Sequence, residues 1–161
     1  MKTNNRLPVV LLLAMCTCLL GLTKRGVVNT IQTANSLSFG GVDVTVDATD
    51  CSTDNSSDGK TRAIAAINNA SASMCTIQFG VLDPSSGTYT TTLEEPIGNG
   101  QVILGVGGST YGGAFAAKAG QSITIINNSG KYQAVFKDIV LLDPATKEKV
   151  GKKISGNFGC N

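Results

Sequence analysis

Asp47, Asp50, Asp54 and Asp58 lie close together in the chain, with Ser, Thr and Asn between them and Gly59 directly after. Carboxylates and hydroxyls at this density are the hard oxygen donors that calcium takes, six to eight at a time. An EF-type loop begun at Asp54 places Asp54, Ser56 and Asp58 at ligand positions, followed by the glycine that such a loop needs. Position 12, which supplies a bidentate Glu in those loops, is Ala65 and cannot ligate. The plainer account is a solvated connection, because Asp, Asn, Ser and Gly bond their own backbone and tolerate left-handed conformations. The expectation is therefore no cofactor, with calcium at Asp54, Ser56 and Asp58 as the competing reading.

Other reactive constellations are sparse. The chain has no histidine, which removes Ser-His-Asp and Cys-His catalysis, His-ligated zinc and an imidazole pH switch. Glu94 and Glu95 are adjacent, and neighbours on a strand point to opposite faces, so they make a poor acid–base pair for glycoside hydrolysis. The run 105–113, GVGGSTYGG, departs from G-x-G-x-x-G at Thr110 and reads as a bulged strand and turn. Asn-x-Ser triplets at Asn55, Asn69 and Asn127 accept glycans only on a eukaryotic secretory route, which the leader does not favour. No enzymatic activity is expected from these residues.

The cysteines point elsewhere. Residues 1–23 have a basic start and an apolar run from Leu7 to Leu22, short for a bilayer core that needs roughly 20 residues. This reads as an export signal. Cys16 and Cys18 fall inside the run and are the candidates for lipidation of the bacterial lipoprotein type. Met15 stands before Cys16 where a small residue is usual, and in the Leu place before Cys18. Lipidation, plain cleavage near Thr23 and an uncleaved anchor all export the domain. In an oxidising compartment Cys51, Cys75 and Cys160 are disulfide candidates, giving one bridge, one spare thiol and three open pairings.

The net charge of +2 hides segregation: residues 27–100 hold eight acids against Lys60 and Arg62, whereas residues 101–161 hold seven lysines against three acids. No basic cluster is interleaved with aromatics, so a nucleic-acid partner is not expected. The patch KEKVGKK at 147–153 reads as a solvated hairpin edge.

These residues must be positioned by strands. After a tether at 24–36, Val42, Val44 and Val46 in 37–49 alternate with polar residues as a half-buried strand that follows a Gly-Gly break. The run 75–83 alternates likewise, 88–93 is β-rich by propensity, and 101–108 and 111–119 are strand-like around glycines. QSITII (121–126), the turn NNSG and KYQAVFKDIVLL (131–142) form a hairpin signature, with a bulge expected where the apolar register slips at Lys137–Asp138. Ile77, Phe79 and Val81 are expected on one face. Residues 58–73 are open between a strand and a short helix, with the strand favoured. The sum is an all-β domain over 37–161, a single antiparallel β-sandwich or small barrel.

The order of the leader cysteines, SGTY (86–89), YGGAF (111–115) and the terminal run GQSITIINNSGKYQAVFKDIVLLD…KKISGNFGC resembles small β-rich envelope lipoproteins of the Bacteroidetes type. The resemblance spans about residues 37–160 and implies an exported β-domain without an assigned activity. The functional expectation is an exported, lipid-anchored or secreted domain of the bacterial cell envelope with a binding or surface-structural role. Its partner would be an envelope or extracellular component, with membrane contact through a lipid anchor. The alternatives are a carboxylate-based hydrolase and a fibre or adhesin subunit using strand donation, the latter resting on the apolar strand at 139–142.

Overall fold

A computed structural model of the chain describes residues 35–51, 61–95 and 97–160. Those residues form β1 (Ser36–Phe39), β2 (Val42–Val44), β3 (Ala48–Asp50), β4 (Arg62–Asn68), β5 (Ser73–Phe79) and β6 (Gly87–Thr91). They continue as β7 (Gln101–Gly108), β8 (Gly113–Ala117), β9 (Ser122–Asn128), β10 (Lys131–Leu142) and β11 (Lys149–Gly159). No helix occurs among the described residues, and the all-β expectation holds. Of the segment left open between strand and helix, Arg62–Asn68 form β4, with Ile64 and Ala66 toward the core and Ala63, Ala65 and Ile67 on the other side, where Ala65 is also buried.

The strands make one mostly antiparallel sheet in the order β2-β1-β11-β10-β9-β6-β7-β5-β4-β3, with β8 bridging β7 and β10. Only β6 and β7 pair in parallel. The sheet folds over on itself through its two longest strands. The first part of β10 (Lys131–Val135) pairs with β9, whereas its end (Leu141–Leu142) pairs with β8. Between them the β10–β11 register shifts across Phe136/Ile139, and Asp138 takes a φ of 55°. This is the bulge expected at Lys137–Asp138, and it turns the corner by which one strand serves two layers.

At that corner the backbone of Val140 has left β9. The Gln121 side chain takes over: Val140 N donates to Gln121 Oε1 at 2.7 Å and Gln121 Nε2 donates to Val140 O at 3.0 Å. The amide side chain thus supplies the acceptor that a neighbouring strand would have supplied, and it shares the donation to Val140 O with the backbone N–H of Lys118, at 2.9 Å. The other end of β10 is set by the NNSG turn. Asn128 pairs with Lys131 across Ser129 (φ 56°) and Gly130 (φ 86°), the two positive values that a two-residue type I′ hairpin demands.

The inner side chains form one core. Ile64, Cys75, Ile77, Phe79, Val102, Leu104, Ile123, Ala134, Leu141, Ile154 and Phe158 have no exposed surface, and burial contributes about 1.5–3 kcal/mol for each large one. Edge-to-face rings, Phe79 on Tyr89 and Phe136 on Phe158, fix the geometry of the packing. Two local expectations are corrected. Val81 does not share the face of Ile77 and Phe79, because β5 ends at Phe79 and Val81 is exposed in the bend that follows. The Gly40–Gly41 break expected before the strand is a turn, with φ of 61° and 82°, that folds β2 back on β1, but the strand after it is not one element: β2 ends at Val44 and β3 begins at Ala48. In the apolar stretch 139–142, Ile139, Val140 and Leu142 pair with β11, and Leu141 and Leu142 pair with β8.

Candidate functional site

Two polar assemblies stand out. The first closes one end of the core. Cys51, directly after β3, is bonded to Cys160, directly after β11, across 109 residues. This selects one of the three open pairings and leaves Cys75 as a buried free thiol. Arg62 Nη1 donates to the carbonyl of Cys51 at 2.8 Å and its Nε to the carbonyl of Leu82 at 2.6 Å. The same guanidinium lies 4.7 Å from the centre of the Tyr132 ring, a cation–π contact. The Tyr132 hydroxyl donates to Asp83 Oδ1, which also accepts from Asn127 Nδ2 at 3.1 Å. Cys160 N donates to the carbonyl of Tyr132 at 2.9 Å.

Burial, followed by the bond to Asp83, raises the Tyr132 hydroxyl above its ordinary range. Burial likewise pushes the Cys75 thiol far up, so it stays protonated and is no nucleophile. Every donor and acceptor named in this assembly is spent inside it. Its work is to fasten the DPSSG turn, the end of β4 and the two disulfide-linked segments.

The second assembly is an open groove of about 380 Å³ on the outer face of β1, β2, β10 and β11. The pairing register builds it. Ser38 faces Asp43 on one side and Ser155 on the other, while Ser36 faces Asn157, which in turn faces Val135. Lys137 completes the lining at the β10 bulge, where Asp138 N donates to Ser155 Oγ at 2.9 Å. Behind it Gly156 faces inward, and a Cβ there would meet the Phe136 ring at 2.6 Å and Leu37 at 3.0 Å. The groove is mostly apolar, lined by Val135, Leu37 and Phe136, and carries serine hydroxyls, one carboxylate and one ammonium among them. Asn157 Oδ1 already accepts from Gln133 Nε2. Such a lining suits a small ligand with both apolar and polar parts. Its single carboxylate, Asp43, does not make the paired acid and base of a glycosidase.

Of the sequence-derived candidates, the structure joins Cys51 and Cys160. Cys16, Cys18, Asp54, Ser56 and Asp58 lie outside the described residues. Asp47 accepts the backbone N–H of Asn69 at 2.8 Å, and Asp50 is exposed at the end of β3. Among the described residues no three Asp, Glu or Cys side chains converge as a metal centre would require. Glu94 and Glu95 are exposed in the loop after β6. Sequence reasoning did not single out the groove residues or the Arg62–Tyr132–Asp83 chain. The available signal for the latter was an arginine and a tyrosine at core-facing positions of apolar strands.

No protein-family model, curated protein or solved structure matches this chain.

Proposed function

We propose that this chain is an exported β-domain of the bacterial cell envelope, held there by its leader or a lipid, that acts by binding rather than by covalent chemistry. The observation that carries the reading is the Cys51–Cys160 disulfide. A bond of this kind persists in oxidising compartments and is rare where thiols are kept reduced. The resemblance to small envelope lipoproteins points the same way. Among the described residues no helix is long and apolar enough to cross a membrane, so attachment would fall to the leader. The groove between β1, β2, β10 and β11 is the binding surface in this reading, and its ligand is small, with an apolar part against Val135 and Phe136 and polar groups toward the serine hydroxyls, Asp43 and Lys137.

Intact mass of the chain recovered from fractionated bacteria, with and without thiol labelling, tests this. The expected result is a chain shortened at the leader or carrying lipid on Cys16 or Cys18, in the envelope or the medium, with only one labelled thiol among Cys51, Cys75 and Cys160 after denaturation. An unprocessed cytosolic chain with all its thiols labelled overturns it.

A further inference from the structure

We propose that the outer face built by β3, β4, β5, β7, β8 and the adjoining ends of β10 and β11 docks against the same face of a second copy of this chain. The pairing register aligns one row of outward residues across all seven strands: Asp50, Ala65, Thr76, Gly105, Ala116, Leu142 and Lys149. The row beside it runs through Ile67, Met74 and Gly107. The outward face of an antiparallel sheet in water normally alternates with polar side chains. Between Asp50 and Lys149 these two rows carry only small or apolar residues and one threonine. Met74 is 46% exposed, Ile67, Thr76, Gly105, Gly107 and Ala116 are half-buried, and Ala65 and Leu142 are buried, while the next row holds Gln78. A contiguous patch of that composition marks an interaction surface.

The charges identify the occupant. The long row carries an acid at one end and a base at the other, and Gly105 is its midpoint. A twofold axis along β7 through Gly105 turns the row end for end. Asp50 of one copy then faces Lys149 of its partner, twice over, and Ala65 faces Leu142. The patch is complementary to itself, as an isologous interface requires. At the centre two glycines face each other, so the two sheets can approach closely. Five strands about 4.8 Å apart and two rows about 7 Å apart give on the order of 300 Å² per copy. That lies below the range of stable specific complexes, so the dimer is weak, reversible and concentration-dependent.

Sedimentation velocity of the purified chain from micromolar to millimolar concentration reads the proposal directly. The wild type is expected to shift from monomer to dimer. Gly105→Glu is expected to stay monomeric while folding normally, because a Cβ at Gly105 meets only the Phe115 carbonyl, at 3.8 Å. Asp50→Lys and Lys149→Asp, each alone, bring like charges together at both ends and should weaken association at least about tenfold. Mixing these two variants pairs opposite charges at both ends and should restore a heterodimer. Wild type that stays monomeric at every concentration overturns the proposal, and so does a mixture no more associated than either variant alone. The test does not depend on where the protein resides or on the groove, so it fails or succeeds independently of the binding reading.

Discussion

Across the outer face of β1, β11, β10, β9 and β6 the paired residues are Ser36, Asn157, Val135, Thr124 and Thr88. Across that of β3, β4, β5, β7 and β8 they are Ala48, Ile67, Met74, Gly107 and Ala114. Both faces lie over the same apolar core, so the fold itself does not dictate the difference. Serine and threonine turned to water are near neutral for stability, whereas exposed apolar surface is unfavourable until something covers it. In the readings proposed above, one face takes a small ligand in its groove, and the other is covered by a copy of the chain whose end charges complement its own.

The comparison presupposes one body that holds both faces, and the largest expected effect comes from loosening it. Replacing Cys51 and Cys160 together by Ala should cost about 3–5 kcal/mol, since the bond closes a loop of 109 residues. Calorimetry should show a melting temperature lower by roughly 10–20 °C. Gln121→Ala removes the side chain that stands in for a strand at Val140. It should cost about 1–3 kcal/mol in urea unfolding, and by loosening the β10 corner it should disturb both faces.

A third effect depends on pH. Burial keeps the Cys75 thiol protonated far above its usual range, while in the unfolded chain it ionises near pH ~8.5. The folded state then holds a proton that the unfolded state has lost. Stability is unaffected below that pH and falls as pH rises past it, by up to about 1.4 kcal/mol per pH unit. Tyr132 and Tyr111, both raised mainly by burial, add to the decline from about pH 10 upward. Urea midpoints of wild type and Cys75→Ala from pH 7 to 10 check this, and the variant should lack the first part of the decline. The smallest effects separate the faces themselves. Gly105→Glu should change folding stability by less than about 1 kcal/mol. Ser38→Ala and Thr124→Ala on the polar face should each stay within about 0.5 kcal/mol.

Much of the architecture was legible because the side-chain period of a strand is local. β7 and β10 begin and end where the sequence pattern placed them, and the turn at Ser129–Gly130 and the bulge at Asp138 follow from residue types beside them. What escaped depends on long-range pairing. The partner of Cys160 follows only once β3 and β11 are brought together. The groove gathers residues from positions 36–43, 135–137 and 155–157, none distinctive in its own segment. The apolar outer face shows the same limit. RAIAAI in β4 and QVILGVGG in β7 are apolar at both parities, which hints at burial on two sides. Only the register of seven strands lines Asp50 up with Lys149. Val81 failed for the converse reason: the period continued in the sequence after the strand had ended.

The most direct measurement of the difference between the faces is the rate at which a single introduced thiol is modified as protein concentration rises. Thr76→Cys reports the apolar face and Thr124→Cys the polar one, and the buried Cys75 gives the background in each. The account predicts that modification at position 76 slows several-fold from micromolar to millimolar protein, while the rate at position 124 stays constant. Equal, concentration-independent rates at the two positions would contradict it.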